Sequence, residues 1–206
     1  MLAALSEQGV DKVVLTSHFY AEDETPQQYV SKRDAAYKKL CEALAGYDYV
    51  PRLYKAAEVC YYIGISHMEN PRLLCIEGTP LFMLEMPKCR WDRSVIAEAI
   101  SLAQRGDIIV VLAHIDRYFG ENDLSVFEEL AHEGILMQAN ASFMADPANK
   151  RLIKKLTKKE LVHFIGTDCH NMTSRPPQYA PAITNMRKYG GMDLLGMLGY
   201  FEERFF

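Results

Sequence analysis

The chain has 206 residues, 49% hydrophobic and 24% charged, with a formal net charge of -4. That composition suits one globular domain with a sizeable core, and an acidic balance without a basic stripe argues against nucleic acid as a partner. The five cysteines form no C-x-x-C pair and no apolar run reaches the roughly 20 residues that span a bilayer, which excludes a disulfide scaffold, a zinc ribbon and a membrane span.

The N-terminal "MLAALSEQGVDK" has neither a basic leader nor a long apolar core, so the expected compartment is a reducing cytoplasm. "KVVLTS" (12–17) reads as a strand. A helix follows, opened by Thr25 as cap and Pro26 at the first helical position. Further strands are expected in 49–62, with an interruption, and over "RLLCI" (72–76) and "LFMLEM" (81–86). Asp92 and Gly106 bound the next helix, before the strand "IIVVLA" (108–113). "NDLSVFEELAHEG" repeats the helical grammar, then "ILMQAN" (135–140) is a strand, "DPANKRLIKKLTKKE" a helix and "VHFIGT" (162–167) a strand. The final 25 residues read as helical. Strand alternating with helix implies parallel pairing, and the runs are apolar on both faces, as in covered strands. The expectation is one α/β domain over residues 1–206, without repeat or linker.

Polar residues interrupt or end these runs: His18, Glu58, Glu85, His114, Asp168 and His170. In a parallel α/β barrel the C-terminal strand ends converge on one face, so residues distant in sequence would meet there. A single histidine at a strand end is ordinarily a polar cap, and Glu58 alone would be an ion-paired carboxylate. Glu85, between Leu84 and Met86, is costly unless paired or bound to metal. Six such positions together favour a metal cluster of imidazole and carboxylate, suited to Mn²⁺, Fe²⁺ or Zn²⁺. His67, His132 and His163 fall in a loop, on a solvated helix and at the wrong end of a strand, and read as structural or surface groups. Arg117 and Arg175 lie just beyond His114 and His170, and their planar forks match phosphate oxygens, which favours a phosphorylated substrate.

Cys169 and Arg175 also match the C-x5-R spacing of thiolate phosphatases. Such a loop needs backbone N–H donors and close approach to phosphate. "HNMTS" has no glycine, the two prolines after Arg175 carry no N–H, and Asp168 beside the thiol opposes thiolate formation. The match reads as coincidence.

"VVLTSHFY", "AAEVCYY", "LFMLEMP", "VVLAHIDRY", "MQANASF" and "IGTDCHNMTSRPP" occur in an order that resembles the bacterial capsular and exopolysaccharide tyrosine phosphatases of the polymerase and histidinol phosphatase (PHP) superfamily. The resemblance spans nearly the whole chain. It implies a distorted (β/α)7 barrel with two or three metal ions, Mn²⁺ first among them, in a complete relative. By position it implies His18, Glu58, Glu85, His114, Asp168 and His170 as metal ligands, and Arg117 and Arg175 as phosphate holders. With Asp168 and His170, either of which could donate a proton, these form the expected catalytic set. The family pattern opens with a strand bearing His-x-His and an aspartate-containing loop, whereas this sequence starts in the helix before the "TSH" strand. The expectation is therefore a barrel short of its first strand and of up to three ligands, through truncation, a misplaced start codon or degeneration. The implied activity is metal-assisted hydrolysis of phosphotyrosine protein, the partner being a polysaccharide-synthesis tyrosine kinase. Two rivals stand beside it: a histidinol-phosphatase-like enzyme, and an inactive or regulatory phosphotyrosine-binding relative.

Overall fold

The computed structural model describes residues 1–47 and 49–206. In chain order, α1 (Leu2–Glu7) precedes β1 (Lys12–Phe19), and α2 (Pro26–Leu44) leads to β2 (Arg52–Cys60). After β3 (Leu81–Glu85) come α3 (Arg93–Ala103), β4 (Ile109–Leu112) and α4 (Leu124–His132). Then follow β5 (Leu136–Asn140), α5 (Ala141–Ala145), α6 (Lys150–Lys158) and β6 (Phe164–Gly166). Two helices close the chain, α7 (Tyr179–Tyr189) and α8 (Gly191–Phe205).

Local signals explain most of these boundaries. Thr25 and Gln28 form a reciprocal capping box, with the Thr25 hydroxyl accepting from Gln28 N at 3.3 Å and Gln28 Oε1 accepting from Thr25 N at 2.9 Å. Asp92 caps α3 by accepting from the amides of Ser94 and Val95. One expected strand is absent. "RLLCI" begins in a short 3-10 helix, Pro71–Leu74, because Asn70 turns the backbone left-handed and Pro71 fixes the first helical position. Its apolar residues are buried all the same, Leu74 and Cys75 in the outer core and Ile76 in the inner one.

The strands pair in sequence order, β1 to β6, all parallel, and the sheet curls into a half-barrel. Six strands agree with the expected seven-stranded type less one. The sheet has two apolar faces because alternate side chains point opposite ways. Val14, Tyr54, Ala56, Leu81, Met83, Ile109, Val111, Leu136 and Phe164 fill the inside of the curl, where Phe205 and Phe206 of the C-terminal end pack against them. Phe206 meets Tyr54 edge-on at 5.2 Å. Val59, Leu84, Val110, Leu112, Met137 and Ala139 face outward and pack on the helices through Ile96, Leu102, Phe127, Leu130, Ile153 and Leu156. Counting in twos along the inner face leads from Val14 to His18, from Ala56 to Glu58 and Cys60, from Met83 to Glu85, and from Leu136 to Gln138 and Asn140. The apolar filling therefore gives way to polar groups at the C-terminal ends of the strands.

Register strengthens this convergence. His18 lies opposite Glu58, and Cys60 opposite Glu85. Close packing between β5 and β6 sets a further constraint. A Cβ at Gly166 would lie 2.6 Å from Gln138 Nε2. Gln138 is buried and held at both ends, its Nε2 donating to Ala139 O at 2.8 Å and its Oε1 accepting from His114 N at 2.6 Å. Of the remaining histidines, His67 and His132 are exposed. His163 is buried just before β6, where Nδ1 accepts from Met137 N at 2.9 Å.

Two outcomes follow from this packing. Gly166→Ala forces Gln138 off its partners, so unfolding in urea should come at lower concentration, with about 1–3 kcal/mol lost; an unchanged midpoint would remove the steric argument. Burial pushes His163 down from 6.5 to about 4, so the folded state keeps it neutral where the unfolded chain takes up a proton. Stability then falls as pH drops from about 6.5 towards 4, by roughly 3 kcal/mol in full. His163→Asn retains an acceptor for the Met137 amide but does not titrate. Its thermal midpoint should depend less on pH across that window, and equal slopes for the two proteins would refute the assignment.

Candidate metal and phosphate site

The turn after β4 carries two of the expected residues. Ile115–Tyr118 form one 3-10 turn, entered through a left-handed His114 with φ 35°. A non-glycine residue there is strained, and the strain is held by burial of Ile115 and Tyr118. Tyr118 Oη accepts from Met86 N at 3.0 Å, and its ring packs 5.1 Å from Trp91. Asp116 Oδ1 accepts from Asn140 N at 2.7 Å. The turn is thus tied to the ends of both neighbouring strands, with His114 and Arg117 projecting from it.

His114 Nε2 lies 2.8 Å from Glu58 Oε1 and 3.4 Å from Glu85 Oε1. Glu58 and His114 are buried, at 9% and 2% exposure, and Glu85 is half-buried. The hydrogen bond with His114 outweighs burial and holds the Glu85 carboxyl at about 2. Burial pushes His114 down, but its hydrogen bonds to the two glutamates push it up further, above the ordinary histidine value. The second oxygen of Glu85 faces another pair. Oε2 lies 3.5 Å from His18 Nδ1 and accepts from the Cys60 thiol at 3.1 Å. Burial and the neighbouring Glu85 raise Cys60 to about 12. Among the described residues, the groups able to offer three donor atoms to one ion are Glu58, Glu85 and His114, and His18, Cys60 and Glu85.

Asp168 and His170 belong to neither group. They form a second cluster with the arginines. Asp168, also left-handed at φ 48°, pairs through Oδ2 with both Arg117 and Arg175. Arg117 also lies 4.0 Å from Glu85 Oε1, which joins the two clusters. His170 Nδ1 is 3.1 Å from Asp168 O and Nε2 is 3.1 Å from Arg175 Nη1. Since a carbonyl only accepts and a guanidinium only donates, the proton of neutral His170 sits on Nδ1. All eight expected residues thus occupy one end of the curl, as two adjoining clusters.

The loop 169–175 answers the C-x5-R question. Asn171 Oδ1 accepts from the amides of Thr173, Ser174 and Arg175, at 2.9, 2.7 and 3.1 Å. The amides of His170 and Asn171 donate to Arg175 O. These donors are consumed inside the loop instead of forming an anion cradle around Cys169, whose Sγ accepts from the Thr167 hydroxyl at 3.3 Å. Sequence reasoning assigned no role to Cys60, Asp116, Tyr118, Gln138 or Asn140. The signal for Cys60, Gln138 and Asn140 was their inward parity at strand ends.

The donor chemistry fits a divalent cation. Two carboxylates meet one imidazole in a buried setting, a negative surplus that a cation offsets. Among the described residues the buried His114 Nδ1 has no hydrogen-bond partner, so Nε2 is the ring atom that its neighbours anchor.

The chain is similar to several known proteins along most of its length. Tyrosine-protein phosphatase CpsB of Streptococcus pneumoniae is 26% identical over 202 residues, covering 92% of this chain and 82% of that protein. Tyrosine-protein phosphatase CpsB of Streptococcus agalactiae serotype V is 28% identical over 188 residues, covering 85% of this chain and 75% of that one. A chain from the crystal structures of YwqE from Bacillus subtilis and CpsB from Streptococcus pneumoniae, described as unique metal-dependent tyrosine phosphatases, superposes with a TM-score of 0.80 at 21% identity, covering 100% of this chain and 84% of that chain. The family described as capsular polysaccharide synthesis, CpsB/CapC, matches residues 1–200, and the chain belongs to it.

Proposed function

We propose that this protein is a metal-dependent protein-tyrosine phosphatase acting in capsular or exopolysaccharide synthesis, with residues 1–206 as a single PHP-type domain. Its substrate would be a phosphotyrosine protein, a polysaccharide-synthesis tyrosine kinase in particular, met in the cytoplasm. Among the described residues no helix is long and apolar enough to cross a membrane. The observation that carries the reading is the adjacency of an acidic imidazole–carboxylate cluster and a pair of guanidinium groups, joined through Arg117.

Glu58, Glu85 and His114 would hold the cation, with His18, Asp168 and His170 as further donors, and Mn²⁺ ahead of Fe²⁺ or Zn²⁺. Such an ion supplies Lewis acidity toward a phosphoryl oxygen and toward water. The chain's own residues do the rest. Arg117 and Arg175 exchange part of their pairing with Asp168 for phosphate oxygens, which orients the ester and offsets charge developing on phosphorus. Exposed His170 lies beside Arg175 at the solvent side of this cluster, where a tyrosyl side chain would enter. A phenol has a pKa of about 10, so its phenolate leaves with less help from an acid than an alkoxide would. Neutral His170 holds its proton at Nδ1 against the Asp168 carbonyl, so an acid role would require a second proton at Nε2.

Two experiments test this reading. Turnover of a phosphotyrosine peptide should vanish with chelator and return with Mn²⁺, while Cys169→Ser keeps most of it. Activity indifferent to chelator and lost in Cys169→Ser would replace the metal mechanism, and peptide binding without turnover would favour the regulatory rival. Separately, Arg117→Ala and Arg175→Ala should each lower kcat/KM by about tenfold or more with metal content unchanged, since guanidinium is no ligand. Glu58→Gln and His114→Ala should lower metal content measured by elemental analysis. Equal metal loss in all four variants would show these roles to be misassigned.

A further inference from the structure

We propose that Cys60 is itself a metal ligand, forming with His18 and Glu85 a sulfur-containing cation position beside the all-nitrogen-and-oxygen position of Glu58, Glu85 and His114. The inference rests on the metal-dependent reading above and adds to it a second kind of site.

The first support is placement. Cys60 follows Glu58 by two residues on β2, so both side chains leave the same inner face. Cys60 is in register with Glu85 on β3, and His18 stands at the end of β1. Three adjacent parallel strands thus deliver one donor each to one point. A thiol serving only to pack would fit the outward parity of Val59 better than this polar rim.

The second support is the size of the triangle. Its edges are 3.1 Å from Sγ to Glu85 Oε2, 3.5 Å from His18 Nδ1 to Glu85 Oε2, and 3.9 Å from Sγ to His18 Nδ1. Tetrahedral zinc bonds of about 2.3 Å to sulfur and about 2.1 Å to nitrogen and oxygen place ligand atoms about 3.4–3.6 Å apart. The observed edges bracket that range. The third support is the division of Glu85, with Oε1 toward His114 and Oε2 toward this triangle. One carboxylate can then bridge two cations. His18 is exposed and Cys60 half-buried, so an ion can enter from solvent and keep a coordination position open.

The other thiols lack this setting. Cys41 and Cys89 are exposed, Cys75 is buried and donates to Pro80 O at 3.5 Å, and Cys169 lies outside both donor groups. On binding, the Cys60 S–H bond breaks, a sulfur–metal bond forms and the proton passes to solvent, with no change of oxidation state. A thiolate favours Zn²⁺ or Co²⁺ over Mn²⁺, so this position should discriminate where its neighbour does not.

The test uses the full chain, stripped of metal and titrated with Co²⁺. Wild type and Cys169→Ser should show a thiolate-to-cobalt charge-transfer band in the near ultraviolet, and Cys60→Ser should lack it. Zn²⁺ affinity should fall about tenfold or more in Cys60→Ser, and Mn²⁺ affinity should change much less. Without any variant, Zn²⁺ should slow alkylation of Cys60, read by peptide mass mapping, and leave Cys41 and Cys89 unaffected. Bound cobalt with no thiolate band, a band that survives Cys60→Ser, or Cys60 alkylated equally fast with Zn²⁺ bound would each overturn the inference while metal dependence stands. Failure to bind cobalt, Zn²⁺ or Mn²⁺ at all would overturn both.

Discussion

The site depends on how β4 stops. After Leu112 the chain turns left-handed at His114, a conformation that costs of order 1–3 kcal/mol for a non-glycine residue. It persists because the turn is gripped on both sides: Tyr118 takes the amide of Met86, Gln138 takes the amide of His114, and Asp116 takes the amide of Asn140. Those contacts join the ends of β3, β4 and β5. Had β4 continued straight, His114 would not meet the glutamates, and Arg117 would not stand between the two clusters.

The same turn sets the electrostatics. Glu58, Glu85 and Asp168 share this end of the curl with Arg117 and Arg175, and the charges are sorted rather than mixed. The two guanidiniums gather on Asp168, and the two glutamates gather on His114. Glu85 remains ionised down to about pH 2, so its charge is present at any working pH. A buried negative group next to an outer positive pair suits a cation within and an anion without, and the two bound species would then attract each other.

Much of this was legible from residue order alone. The strands announced themselves as short apolar runs, and the polar interruptions at their ends marked one face. "RLLCI" misled because burial of a loop beneath strand ends leaves the same apolar signature as a strand, and only Asn70 and Pro71 before it told otherwise. Glu58, Glu85 and His114 were readable because a charged or imidazole group in an apolar run demands a reason. Gln138 and Asn140 carry no formal charge and have many commoner roles. The sorting of Asp168 onto the arginines could not be read at all, since it brings Asp168 against a turn 51 residues away in sequence, which no spacing rule predicts.

The alternation of the inner face has a consequence for how such a chain can vary. Substitution within a strand changes one side chain and leaves the rest where they were. Deleting one residue of β2 before Glu58 reverses every position after it, turning Glu58 and Cys60 into the helix-packed layer and Val59 into the bore. Divergent descendants can therefore exchange most of their amino acids, provided the count of residues from each filled inner position to its strand end keeps its evenness. Length changes are confined to the loops and helices between strands. Evenness of spacing, more than the letters themselves, is the inherited quantity at this site.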